Sequence, residues 1–135
     1  MALTAGTTIT AIGAGAGHSL AVTSTGRVLA WGYNNTGRLG IGNTTGSSVP
    51  VEVPLPAGVT ITAVAGGSAH SLALTSTGQM WSWGWNTYGQ LGNGTTTTSN
   101  VPVQVNLPAA ATVTAISAGH GWFSLAVHPV RRQST

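Results

Sequence analysis

"AGHSLAVTSTGRVLAWG", residues 16–32, returns as "SAHSLALTSTGQMWSWG" at residues 68–84. The pairs His18 and His70, Trp31 and Trp83, and Gly40 and Gly92 are each 52 residues apart, so the two copies share one register. Residues 9–42 and 61–94 agree at 19 of 34 positions, and "VPVEV" at 49–53 comes back as "VPVQV" at 101–105. A third copy opens with "VTAISAGHGWFSLAV" at 113–127 and stops after one third of its length. Repetition at such a period marks supersecondary units that bury their apolar faces only by stacking on one another. The chain therefore reads as one repeat domain: copies at about 9–53 and 61–105, a partial copy at 113–127, and a tail at 128–135.

Each full copy predicts four strands. "TITAIGA" from Thr8 and "HSLAVT" from His18 alternate with β-branched residues, and "STG" at residues 24–26 is a tight turn between the second strand and "RVLAWG". The fourth, "VPVEV", contains Pro50, which cannot donate to a ladder and so belongs at a sheet edge. No segment holds a helical period. The expected fold is all-β: blades of four antiparallel strands, about two and a half per chain, in the manner of a β-propeller.

Composition removes several function classes. Arg27, Arg38, Arg131 and Arg132 stand against Glu52 alone, and only 4% of residues are charged. Four cations without a cluster make no nucleic-acid footprint. The chain has no cysteine, and its short apolar stretches, cut by Gly and Thr, predict no membrane insertion. No signal peptide is visible at "MALTAGTTIT". The low charge and Thr-rich surface lean toward an extracellular or bacterial cell-surface setting.

The spaced elements His-Ser-Leu, Trp-Gly-x-Asn and Gly-x-Leu-Gly, in "HSLAVTSTGRVLAWGYNNTGRLGIG" and "HSLALTSTGQMWSWGWNTYGQLGNG", resemble the repeats of the regulator of chromosome condensation family. The resemblance covers about residues 9–127. It implies a propeller fold, seven-bladed in the family, and a role in binding other proteins. Family members include exchange factors for small GTPases, chromatin-bound proteins, modules of larger regulators and bacterial secreted proteins, among them an inhibitor of β-lactamases. Beyond the repeat motif no functional residue of the family can be matched here, so exchange activity does not carry over.

Gly37, Gly40, Gly89 and Gly92 recur in register, as backbone positions that only glycine tolerates would do. No helix follows these glycines, which argues against a phosphate-binding loop. Trp31 and Trp83 are also matched and are expected to pack between blades. Trp81, Trp85 and Trp122 lack Trp counterparts, Leu29 and Tyr33 standing at the places of Trp81 and Trp85, so these three with Tyr33 and Tyr88 are candidates for a partner-binding patch, with core packing as the other reading. His18 and His70 are expected to hydrogen-bond within a blade turn; no metal site follows, because one His per copy and a single acid do not supply three or four convergent ligands. Phe123 replaces that His in the third copy.

Paired-carboxylate catalysis needs two acids, and a serine triad needs an acid to orient its histidine. Ser19 and Ser71 follow His18 and His70, but neighbours in a strand point to opposite faces. The chain is therefore expected to be no enzyme and to need no cofactor. Two and a half blades leave apolar faces bare, so the ring is expected to be completed by copies of the chain or by a longer parent. The function expected is a protein-interaction scaffold whose contacts come from loops at residues 33–48 and 85–100. The alternatives are a structural self-assembly unit, a secreted inhibitor or a glycan-binding protein.

Overall fold

The second strand of each copy is the element around which the rest is laid. The computed structural model describes residues 6–107, 113–118 and 124–127. Ten strands follow in chain order: β1 (Ile9–Ala14), β2 (His18–Thr23), β3 (Val28–Gly32), β4 (Ser47–Glu52), β5 (Ile61–Gly66), β6 (His70–Thr75), β7 (Met80–Gly84), β8 (Ser99–Gln104), β9 (Ala115–Ala118) and β10 (Ser124–Val127). They form two four-stranded antiparallel sheets, β1-β2-β3-β4 and β5-β6-β7-β8, and a two-stranded sheet of β9 and β10. No helix occurs among the described residues. Each strand of the second sheet starts 52 residues after its counterpart, as the repeat predicts. Every residue of β6 is buried, and β4 and β8, which carry Pro50 and Pro102, lie at sheet edges where a missing N–H breaks no ladder.

The copies reproduce even their irregularities. The β1–β2 ladder shifts register between Ile9 and Ala11, and the β5–β6 ladder does so between Ile61 and Ala63. An extra residue in one strand lets side chains three apart share a face. Ile61 and Val64 thereby both enter the same core cluster. Across the β3–β4 edge Arg27 pairs with Glu52 at 2.9 Å, and at the matching place Gln104 donates to Gln79 at 3.0 Å.

The two complete blades stack through an apolar seam. Leu20, Val22, Val28, Ala30, Leu39 and Val53 of blade 1 meet Ile61, Val64, Ala73 and Trp83 of blade 2 in one buried cluster. Trp83 is fully buried, and its indole lies over Gly40, where a Cβ would come within 2.8 Å of Cδ1. Gly40 also has φ of +72°, a conformation that side chains disfavour. β9 and Val113 pack on the far side of blade 2, against a second cluster of Leu72, Leu74 and Met80.

Polar groups latch the same seam. His18 does not bond within its own turn, as the sequence suggested: its Nε2 lies 2.8 Å from Ser71 Oγ in the next blade. Ser71 Oγ donates to the Arg38 carbonyl at 2.7 Å, so the histidine Nε2–H is the donor to Ser71. Arg38 sends Nη1 to Ser68 O at 2.8 Å, and Thr36 Oγ1 donates to Ala69 O at 2.8 Å. Backbone bonds from Ala16 N to Gly67 O and from Ile61 N to Gly26 O add two further ties. Burial holds the His18 pKa down to about 4, aided by the nearby charges of Arg38 and His70.

Two outcomes follow. A histidine whose folded pKa lies below its unfolded value of 6.5 does not weaken the fold above that pH, and it does so progressively as pH falls toward 4. Unfolding free energy should drop by about 3 kcal/mol over that window from this group; denaturant titrations at several pH values check this, and His18→Gln should flatten the slope. Gly40→Ala should cost roughly 2–4 kcal/mol, from left-handed backbone plus overlap with the Trp83 ring. Gly92→Ala, where a Cβ would meet only Val105 Cγ1 at 3.1 Å, should cost about 1 kcal/mol.

Candidate functional site

The antiparallel connections sort the loops between two ends of the stack. The β1–β2 and β3–β4 connections share one end, joined by the bond from Tyr33 N to Gly17 O, and Trp85 N to Ala69 O repeats it in blade 2. The short β2–β3 and β6–β7 turns occupy the other end, each closed by a glycine at positive φ, Gly26 and Gly78. The first end therefore carries most of the variable sequence.

The loop after β3 is long but strongly organised. Asn34 is 1% exposed, and its Nδ2 donates to Asn43 O at 2.8 Å and Thr45 O at 3.0 Å. Its Oδ1 accepts from Leu39 N at 2.9 Å. Asn86 does the same in blade 2, donating to Thr95 O at 2.9 Å and Thr97 O at 3.0 Å and accepting from Leu91 N at 2.9 Å. One buried amide thus stands in for the ladder that the loop lacks and satisfies backbone groups of a segment with no regular structure. Gly37, Gly40, Gly89 and Gly92 all have positive φ, which lets the chain turn sharply around that amide.

On this frame the aromatic candidates separate. Tyr33 and Tyr88 are 70% and 67% exposed at the loop end. Trp85, half-buried, meets Tyr88 edge to face with ring centroids 5.3 Å apart. Tyr33 leans over Gly17, where a Cβ would come within 2.6 Å of its ring. Trp81 lies elsewhere: it is on β7, half-buried and packed against the blade 1–blade 2 core. Trp122 lies outside the described residues, as do Phe123 and the tail at 128–135. Trp31 and Trp83, equivalent in sequence, differ in surroundings, for Trp83 is fully buried and Trp31 is half-exposed on the outer face of blade 1.

Two features escaped the sequence reading. Asn34 and Asn86 organise the long loops after β3 and β7, and their signal was visible as the matched Asn of Trp-Gly-x-Asn. Arg38, counted there as one cation of four, is 8% exposed and reads backbone and side-chain oxygens of both blades. Its place in blade 2 is taken by Gln90, so nothing in the repeat itself marked it.

The seam contains a serine and a histidine in contact, but their chemistry is structural. Ser71 is fully buried, its proton goes to the Arg38 carbonyl, and His18 donates to it instead of accepting from it. A nucleophile would require the opposite polarity and access to a substrate. Among the described residues no group of three His, Asp or Glu side chains is arranged to hold a metal ion. No helix of the described residues is long and apolar enough to cross a membrane.

Known proteins share these features. The model of the regulator of chromosome condensation (RCC1) repeat matches residues 25–74 and 77–127, and a second model of that repeat matches 9–38 and 61–90. A curated relative, the mitochondrial RCC1 domain-containing protein RUG3 of Arabidopsis thaliana, is 44% identical over 48 residues, which is 36% of this chain and 11% of that protein. Human WBSCR16 superposes with a TM-score of 0.82 at 28% identity, over 89% of this chain and 30% of its own. Prp20p of Saccharomyces cerevisiae, whose structure was described with its binding to Gsp1p and histones, gives 0.80 at 25% over 95% and 32%. Yeast RCC1 bound to Kap60 gives 0.83 at 24% identity over 95% and 31%, a likeness of fold. The chain spans about a third of these solved structures and about a tenth of the curated relative. On its matched repeats and its two propeller-type blades, this chain belongs to the regulator of chromosome condensation (RCC1) repeat family.

Proposed function

We propose that the chain is a non-enzymatic protein-interaction scaffold whose blades are completed into a ring by further copies and whose loop end holds a partner protein. The observation that carries this reading is the contrast between rigid loops and exposed aromatic tips. Asn34 and Asn86 fix loops that would otherwise be floppy, so Tyr33, Trp85 and Tyr88 are presented with little ordering entropy left to lose on binding. Aromatic side chains on rigid supports are the common anchors of protein interfaces. The solved relative described with Gsp1p and histones supports a protein as partner. A purely structural assembly unit would have no use for exposed Tyr33 and Tyr88.

Light scattering after size exclusion tests the self-association half: a discrete multimer that persists on dilution is the expected result, and a monomer at every concentration rejects it. Photo-crosslinkers placed at Tyr33 and Tyr88 test the other half. Capture of one foreign protein from both positions, and none from an outer-edge control at Val49, is expected; crosslinks between copies alone would leave only the assembly unit. The loop argument has its own check. Asn86→Ala strands several buried backbone groups and should cost about 2–4 kcal/mol, with faster hydrogen exchange across residues 86–98.

A further inference from the structure

The seam between the two complete blades has a giving side and a receiving side, and blade 1 carries a second copy of the receiving side on its outer face. In blade 2 the receiving residues are Ile61, Val64, Ala73 and Trp83, exposed by 2%, 8%, 0% and 0%. Fifty-two residues earlier stand Ile9, Ile12, Ala21 and Trp31. Ala21 is shielded within its own sheet, whereas Ile9 and Trp31 are half-exposed and Ile12 is 78% exposed. The β-bulge that aims Ile61 and Val64 into the seam is present in β1 as well, so Ile9 and Ile12 are aimed alike. Ser19, the counterpart of the Ser71 that ties His18 to the Arg38 carbonyl, stands half-buried on the same strand ladder.

The giving side recurs too. In blade 1 it is built on Leu20 and Val22 of β2, and in blade 2 on Leu72 and Leu74 of β6. β9 packs on β5 and β6, so the β9–β10 sheet takes the next blade's place. β10 reads "SLAV", which puts Leu125 and Val127 at the register positions of Leu20 and Val22. None of the positions on either side is charged, so copies meet without electrostatic cost.

We propose that the open face of blade 1, centred on Ile9, Ile12 and Trp31, docks the far side of the β9–β10 sheet of a second copy of this chain, head to tail. The contact repeats the internal seam between chains and rests on the ring reading given above. Being heterologous, it joins each copy to two others and closes when the rotation per copy returns to its start. The occupant is a second copy because one chain carries, at opposite ends of one stack, the receiving face of blade 1 and in β10 a strand at the register of β2, on which the giving side of the internal seam is built.

Solution mass across a dilution series for the wild type, Ile12→Glu and the loop-end control Tyr88→Ser tests this. The wild type and Tyr88→Ser should form the same multimer, and Ile12→Glu should dissociate at a concentration about 10- to 100-fold higher. Ile12 is exposed, so circular dichroism of that variant should be unchanged. Amide exchange in β1 of the wild type supplies a reading that needs no variant: protection should rise with concentration. A multimer that Ile12→Glu leaves intact, with β1 exchange independent of concentration, overturns this face and leaves self-association standing. A wild-type monomer throughout overturns both.

Discussion

A four-stranded sheet of this composition has two apolar faces and can hide neither by itself. Blade 1 offers Leu20, Val22 and Leu39 to its neighbour, and blade 2 answers with Ile61, Val64 and Trp83. Several other features serve that contact. Gly40 is bare so that an indole can lie on it, Pro50 is at the rim so that the inner strands keep their ladders, and the bulge near Thr10 and Thr62 turns two isoleucine-class side chains onto one face. Burying one large apolar side chain contributes about 1.5–3 kcal/mol, and a seam collects several at once.

Polar groups are handled with equal consistency and almost no charge. The chain has four arginines and one glutamate. One ion pair, Arg27 with Glu52, is at the surface and contributes little. The buried work falls to neutral amides and hydroxyls: Asn34 and Asn86 inside the loops, His18 with Ser71 across the seam, and threonine hydroxyls at the turns. Arg38 is the exception, a buried cation satisfied by a carbonyl, an amide oxygen and a hydroxyl instead of an acid. Such a seam is exposed to acid through His18.

The same economy shapes the loop end. Loops anchored by a buried asparagine can vary at their tips without loosening, so one scaffold tolerates Tyr33 in one copy and Trp85 with Tyr88 in the next. Matches to about a third of much longer chains fit a repeat fold in which each blade contacts only its neighbours.

Strand positions, turns, edge strands and the 52-residue period were all readable from the chain, because alternation, Gly at tight turns and Pro at edges are local constraints that neighbouring residues express directly. The glycine register and the resemblance to the repeat family were readable for the same reason. What the tertiary structure decided is which copy of an identical residue is buried. Trp31 and Trp83 stand in the same local sequence, yet one is half-exposed and the other sealed, since only the stacking of a preceding sheet covers an indole. Likewise, His18 bonds a serine 53 residues away, and Trp81 turns into the seam while Trp85 stays at the loop end. Burial is a property of what lies across the gap between sheets, and a repeat writes the same letters on both sides of it.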